Sequence, residues 1–424
     1  MSSVQSAKSA KSAKSAVLNA AVVVAALGYF VDIYDLILFS IVRVKSLGDL
    51  GVIGKAALKA QGEYLITMQM GGMLLGGILW GVLGDKKGRL SVLFGSILLY
   101  SLANIANGFV QTLDQYAWLR LIAGIGLAGE LGTGITLVSE SLPPEKRGYG
   151  TMLVATVGVS GALLAYFVGE RLGWRNAYFV GGGLGLALLG LRAGVFESGM
   201  FRAVVAAPGV ARGNFLSLFT QPVRLGKYLR CLLIGVPLWF VVGILITFAP
   251  EFGEALGVQV PAGAAPLSAG LAVFWCYFGL VFGDLASGLL SQLLRSRNRA
   301  LQIFLVLCGG MIGVYLFGLK GASPTAFYGV CFALGLSVGF WALFVTVAAE
   351  QFGTNLRATV ATTAPNFARG SVVLLVPAFR WAEAHLGGRL PGAAALGAVA
   401  LLVAFWAVST LPESFGKELD YVEE

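Results

Sequence analysis

Apolar residues run along this chain in long unbroken stretches. They show neither the alternation of a half-buried strand nor the stripe of a surface helix. Twelve windows are long and apolar enough to cross a bilayer as helices. They lie near 17–42, 64–83, 91–109, 116–139, 150–169, 177–195, 231–249, 269–294, 301–319, 327–348, 360–379 and 391–411. A transmembrane barrel would alternate apolar and polar positions, so it is excluded. Polar residues gather in short connections, and the longest break, 196–230, stands mid-chain. The pattern predicts an all-α membrane protein with twelve transmembrane helices and both termini in the cytoplasm. A disordered basic tail (1–16) precedes a six-helix bundle (17–195). A central cytoplasmic loop (196–230), a second six-helix bundle (231–411) and a cytoplasmic tail (412–424) follow.

Composition narrows the class. The chain is 57% hydrophobic and 12% charged, and it holds 59 glycines. Apolar residues plus glycine make up about 71% of it, where a soluble domain has about 45–50%. A water-soluble enzyme could not hide that surface. The net charge of +9 would suit nucleic acid, but its distribution does not. Of 30 Lys and Arg, nineteen fall on the side predicted to be cytoplasmic and nine on the other. Two, Arg120 and Arg369, lie inside spans. This is the positive-inside bias, so the charge reports topology and no nucleic-acid partner is expected. Cys231, Cys276, Cys308 and Cys331 lie in or beside spans without paired spacing, and read as small apolar residues. The single histidine, His385, is near the outer end of the eleventh span, and no phosphate-binding loop is present. Neither metal nor cofactor is expected; the partners are a small-molecule substrate and membrane lipid, and the chain reads as a monomer. Short outer loops without an Asn-x-Ser/Thr site fit a bacterial inner membrane.

An offset of 210 residues aligns the halves. Asp85-Lys86-Lys87-Gly88-Arg89 falls on Arg295-Ser296-Arg297-Asn298-Arg299, and SESLPPEKRG (139–148) falls on AEQFGTNLRA (349–358). Glu140 thereby meets Glu350, and Arg147 meets Arg357. A Glu-Ser pair follows the sixth span of each half, at 197–198 and 413–414. Six-span units repeated in parallel are one architecture of secondary transporters, with the substrate site between the halves.

These residues resemble a family. GVLGDKKGRLS (81–91) is similar to the loop after the second helix of the major facilitator superfamily, departing only at Leu90. LRLIAGIGLAGE (119–130) resembles its fourth-helix Arg-x-x-x-Gly-x-Gly pattern, and 140–148 its E-x-x-P-x-x-x-R-G ending. Together with LPES (411–414), the resemblance spans the chain. GYFVDIYDLILF (28–39) and Gly129-Glu130 look most like the metabolite:proton and aromatic-acid:proton symporters. It implies that Asp35 and Arg120 form the helix-1 to helix-4 partnership of proton coupling. It also implies a cytoplasmic gate in which Asp85 and Arg89 brace a neighbouring helix end, while Glu140 with Arg147, and Glu350 with Arg357, form matching networks.

A charge in mid-membrane costs at least ~2.5–3.5 kcal/mol on insertion scales, so each is a candidate functional group. Six stand away from the span ends: Asp32, Asp35, Arg120, Glu130, Asp284 and Arg369. With four carboxylates against two guanidiniums, two carboxylates must be protonated, bind a cation or meet water. Asp32, Asp35, Arg120 and Glu130 are the candidates for proton coupling. Asp32 and Asp35, at i and i+3, share a helix face on either side of Tyr34. Arg369, beside Asn366, is suited to bidentate capture of a substrate carboxylate, or else to pairing with Asp284. Tyr34, Trp239, Trp341, Asn366, Asp284 and Arg369 are the substrate-site candidates. The function expected is proton-coupled uptake of a small mono- or dicarboxylate by alternating access. A carrier of an organic cation is an alternative. An exporter is a weaker one, because the fifth span, TMLVATVGVSGALLAYFVG (151–169), lacks the Gly-Pro of drug antiporters. A non-transporting sensor would have little room for a signalling module in the short tails and loop.

Overall fold

A computed structural model of the protein describes residues 20–191, 214–418 and 420–422. The predicted basic tail and much of the predicted central loop lie outside these residues. The first half comprises α1 (Ala20–Asp49), α2 (Lys55–Lys87), α3 (Arg89–Asn107), α4 (Leu113–Leu127), α5 (Glu130–Ser141), α6 (Pro144–Val159), α7 (Gly161–Arg171) and α8 (Trp174–Leu191). The second comprises α9 (Ser217–Thr220), α10 (Pro222–Phe240), a π-helical turn (Val241–Ile246), α11 (Ala249–Ala255), α12 (Ala269–Leu293) and α13 (Arg297–Phe317). It continues with α14 (Pro324–Ser337), α15 (Trp341–Glu350), α16 (Arg357–Gly370), α17 (Val372–His385) and α18 (Arg389–Thr410). Among the described residues, ten helical stretches are long and apolar enough to cross a membrane. The sixth predicted span falls on α8, and the eleventh on α16 and α17.

Local chemistry sets the ends. Thr112 starts α4 with a capping box closed by Gln115, and Ser296 and Ser323 cap α13 and α14. Gly88, at φ 102°, makes the single-residue turn from α2 to α3. Two sequence expectations need correcting. The seventh span begins at Pro222 rather than 231, because Pro at the first helical position starts the helix within the polar flank. Four predicted spans are not continuous. They break at Ala128–Gly129, Ser160, Val338–Phe340 and Ser371, each beside glycine or serine; the first three lie in runs too apolar to betray the interruption, whereas the last follows the polar sequence of α16. The breaks at 128 and 338 stand 210 residues apart and those at 160 and 371 stand 211 apart, so the internal repeat extends to where the helices part.

α1 lies at the centre of the first half against α5, α6, α7 and α8, and also touches α12. Between the halves, α16 packs along α2 and α5, while α12 packs along α6 and α7. Glycine permits these approaches: a Cβ at Gly132 would strike the backbone of Ala361 and Thr362, and one at Gly81 would meet Thr359.

Candidate functional site

Charged groups gather in four places: at the Gly88 end of the bundle, at the end opposite it, within the first half, and where the halves meet around Asp32.

At the Gly88 end, Asp85 on the last turn of α2 reaches across to the first turn of α16. Its Oδ1 accepts the Ala358 N–H (3.2 Å), and its Oδ2 accepts the Thr359 N–H (2.8 Å) and hydroxyl (2.7 Å). A carboxylate there satisfies the orphan donors and the positive end of the helix dipole. Arg89 pairs with Asp85 at 3.2 Å and with Glu140 at 2.9 Å, and donates to the Thr354 carbonyl of the other half. Arg357 pairs with the same Glu140 oxygen at 3.2 Å. The expected Glu350–Arg357 network is not formed: Glu350 pairs with Arg297 at 3.2 Å and accepts the Ser414 hydroxyl. The physical reason is that Arg357 opens α16, which leans on the first half, leaving Glu350 to the turn of its own half. The Arg147 side chain lies outside the described residues.

Within the first half, Arg120 on α4 and Asp35 on α1 are both fully buried but form no ion pair. Arg120 instead donates to Asn104 Oδ1 (2.8 Å) and Asn107 Oδ1 (3.3 Å) of α3, and its guanidinium stands over the Tyr178 ring at 4.7 Å. Two amide acceptors one turn apart take its fork, so its charge acts on Asp35 only from a distance. Gly181 of α8 clears the space that Asp35 occupies, since a Cβ there would strike its Oδ1. Tyr34 does not belong to the central site: its hydroxyl donates to the Ala177 carbonyl of α8 at 2.8 Å. The asparagines were the residues sequence reasoning missed, and their i, i+3 spacing inside an otherwise apolar span was the signal available.

Where the halves meet, Arg369 at the end of α16 pairs with Asp32 of α1 at 3.7 Å, the two being 1% and 0% exposed. Neither of the two outcomes expected for Arg369 covers this, because its partner is not Asp284. The latter is engaged otherwise: its Oδ1 accepts the Ala342 N–H at 3.1 Å and caps α15 just past the helix break. Arg369 also donates to Asn366 Oδ1 (3.4 Å) and lies over the Trp341 ring at 5.4 Å. Asn366 in turn donates to the Ala128 carbonyl at the α4–α5 break, at 2.7 Å. Glu130, buried at the start of α5, and Tyr29 and Tyr277 act on the same group of charges. Trp341 packs edge-on to Trp239, with centroids 6.1 Å apart, and against Phe344 at 5.1 Å.

At 3.7 Å the Asp32–Arg369 contact is too long for a hydrogen bond and holds by charge alone. Both Asp32 oxygens, Arg369 Nε and the indole nitrogens of Trp239 and Trp341 are buried without a hydrogen-bond partner among the described residues. Such groups are costly to leave unmatched. The arrangement can accept an anion on its N–H donors and a proton on its carboxylate. At the end opposite Gly88, Glu63 of α2 pairs with Arg380 of α17, and Arg43 of α1 lies over the Phe248 ring at 5.8 Å. The sequence reading counted these arginines only as loop charge.

A family model described as Major Facilitator Superfamily matches residues 20–377. The chain is similar to the putative niacin/nicotinamide transporter NiaP of Bacillus subtilis (strain 168), 26% identical over 302 residues, 70% of this chain and 73% of that one. It is similar to the 3-(3-hydroxy-phenyl)propionate transporter of Escherichia coli (strain K12), 28% identical over 317 residues, 72% and 75% of the two. Among solved structures, the proton:xylose symporter XylE bound to 6-bromo-6-deoxy-D-glucose shares the fold at a TM-score of 0.71 with 16% identity, covering 95% of this chain and 97% of that one. The chain belongs to the Major Facilitator Superfamily, and is a multi-pass transporter of small metabolites in a bacterial inner membrane rather than an enzyme.

Proposed function

We propose that the protein carries out proton-coupled uptake of a small organic anion, a monocarboxylate before a dicarboxylate, by alternating access. It would do so on twelve spans with the Gly88 end and both termini in the cytoplasm. The observation that carries the reading is the Asp32–Arg369 pair between the halves, held by charge alone and ringed by unpartnered N–H donors.

Charge balance supplies the coupling. With Asp32 ionised and Arg369 charged, the empty site is neutral. A substrate carboxylate that takes Asp32's place on Arg369 leaves Asp32 to accept a proton, and the loaded site is neutral again. Either half-loaded state leaves one uncompensated buried charge, at ~3–5 kcal/mol when a buried pair is broken. Only the empty and the fully loaded carrier then close around the site, which gives one proton per anion. Asp35, one turn along α1 with Arg120 behind it, serves as the neighbouring proton-exchanging group, and Glu130 as the third acid in reach. Trp239, Trp341 and Phe344 offer ring faces beside Arg369, which suits an anion carrying an aromatic ring. The substrates named for the relatives, niacin and 3-(3-hydroxy-phenyl)propionate, agree with that choice. The organic-cation reading has one observation in its favour, the buried Asp284 Oδ2, without a hydrogen-bond partner among the described residues.

Proteoliposome uptake tests it, with nicotinate and 3-(3-hydroxyphenyl)propionate as probes. An inside-alkaline pH gradient drives accumulation by the wild type. Asp32→Asn abolishes accumulation while exchange of internal for external substrate survives. Arg369→Lys weakens binding at least about tenfold, because a point charge cannot replace a planar fork. Accumulation by the wild type that ignores collapse of the pH gradient overturns the coupling. Undiminished affinity in a stable Arg369→Lys protein overturns the anion site and favours a cation.

A further inference from the structure

A cavity of about 420 Å³ opens at the Gly88 end, away from the site between the halves. It lies where the first turns of α10 meet the end of α18 and the tail beyond it, with Pro222, Gln351 and Thr410 in its wall. Among the described residues its charged lining is all cationic: Lys227 and Arg230 from α10 and Lys417 from the tail. Charge is bound to this wall by specific contacts. Lys227 donates to the Gln351 carbonyl at 3.2 Å and stands over Phe352, and Arg230 lies over the face of Trp406 at 5.7 Å. The Arg230 Nε is buried and has no acceptor among the described residues.

The surroundings name the ligand. Val223 in the cavity wall and Trp406 against Arg230 are exposed apolar residues, and Leu402 and Phe405, in the preceding turn of α18, are exposed too. α10 and α18 are both membrane-crossing stretches whose ends, Pro222 and Thr410, form part of the cavity wall. A ligand that fits must therefore bring a negative head to the span ends and apolar chains along the spans. Trp406 and Arg230 are residue types that settle at such a boundary.

We infer that this cavity binds the phosphate headgroup of one anionic phospholipid, seated on Lys227, Arg230 and Lys417 with its acyl chains along α10 and α18. A free phosphate would satisfy the cations alone and gain nothing from the apolar face. The inference does not depend on which substrate the central site carries.

Thermal unfolding and native mass spectrometry of the full chain in detergent test it, with phosphatidylglycerol, phosphatidylcholine and inorganic phosphate as separate additions. Phosphatidylglycerol is expected to bind one molecule per chain and raise the unfolding temperature, with phosphatidylcholine and phosphate doing neither. Each lost cation near a membrane surface weakens anionic-lipid binding about fivefold, so Lys227→Gln with Arg230→Gln should weaken it about 25-fold. Lys417→Glu, on the exposed tail, gives a second reading in a variant that leaves α10 untouched, and should weaken binding at least as much as one neutralisation. Equal binding of phosphatidylcholine, or wild-type affinity in both variants, overturns the site. A shift given in full by inorganic phosphate overturns the lipid as its occupant.

Discussion

Removing the Asp85 carboxylate should open the Gly88 end of the molecule without unfolding it. Asp85 accepts hydrogen bonds at 3.2, 2.8 and 2.7 Å from Ala358 and Thr359, and all of them cross from one half to the other. In Asp85→Ala, Arg89 keeps Glu140 at 2.9 Å and the Gly84 carbonyl at 2.7 Å, so no arginine is orphaned. Hydrogen bonds to a charged group contribute ~1.5–3 kcal/mol each, but these share one carboxylate and do not add, so about 3 kcal/mol is a fair total. When this end opens, Ala358 and Thr359 meet water, and the loss therefore falls on the closed state alone. A differential of about 3 kcal/mol is about a 150-fold shift in the closed-to-open ratio. Thr362 is a suitable reporter, because it is fully buried on α16 against Gly132 in the seam. With the four buried native cysteines replaced by alanine, a Thr362→Cys chain would be treated with a maleimide in inside-out vesicles. The labelling rate should rise by about two orders of magnitude in Asp85→Ala, toward the ceiling of a fully open end. A rate equal to that of the parent chain, with the melting temperature preserved, would refute the bracing role of Asp85.

Two further predictions concern groups that hold helix ends. Asp284→Ala should lower stability by ~0.5–2 kcal/mol through loss of the α15 cap, whereas Asp284→Asn keeps an acceptor for the Ala342 N–H and should stay close to wild type in thermal unfolding. Equal destabilisation by both would mean that the charge matters and the cap does not. Glu413 binds the tail to the start of α13, accepting from the Ser296 hydroxyl and the Arg297 and Asn298 N–H groups. Burial pushes its pKa up, but those bonds and that of the Phe415 N–H outweigh it and hold the carboxyl below its ordinary range. A depressed folded-state value contributes stability above the ordinary glutamate pKa, and loses it as pH falls through the lower folded one. Proteolysis of the tail should therefore accelerate in acid for the wild type, while Glu413→Gln is cut rapidly at neutral pH too. Protection of the variant equal to that of the wild type at pH 7 would sink the idea.

Long apolar runs announce helices without ambiguity, which is why the ten membrane-crossing stretches fall where hydropathy puts them. Pairing between charges is another matter. Asp32, Asp35, Arg120, Glu130, Asp284 and Arg369 stood out because a charge inside a span is rare, and all six are buried. Which carboxylate each arginine meets depends on helix rotation and on neutral competitors that hydropathy does not register. Asn104 and Asn107 take Arg120 from Asp35, and a backbone N–H takes Asp284 from Arg369. The Gly88 end shows the same limit. Aligning the halves sets Glu140 opposite Glu350, but sequence symmetry cannot say that Arg357 crosses the seam to the glutamate of the other half.

The helix breaks explain how so much charge is tolerated inside the spans. An intact helix has no unpaired backbone N–H to offer its neighbours and only the second lone pair of a carbonyl, as at Leu36, whereas a broken one presents N–H groups at one new end and carbonyls at the other. Three of the four breaks lie by a charged or amide group, the one at Ser160 being the exception. Asp284 accepts an N–H from the start of α15, and Asn366 donates to the Ala128 carbonyl where α4 stops. Glu130 opens α5, and Arg369 stands two residues before Ser371, where α16 gives way to α17. The positive end of α15 meets a carboxylate, the sense in which a helix dipole stabilises charge. Backbone ends thus supply in dry protein part of the solvation that water would give. Irregular backbone of this kind is found inside membranes where it is buried in protein or lines a cavity. Because these residues lack the full set of i→i−4 bonds, they are also where a span bends at least cost. The groups around the Asp32–Arg369 pair are therefore attached to the points of the chain where bending costs least.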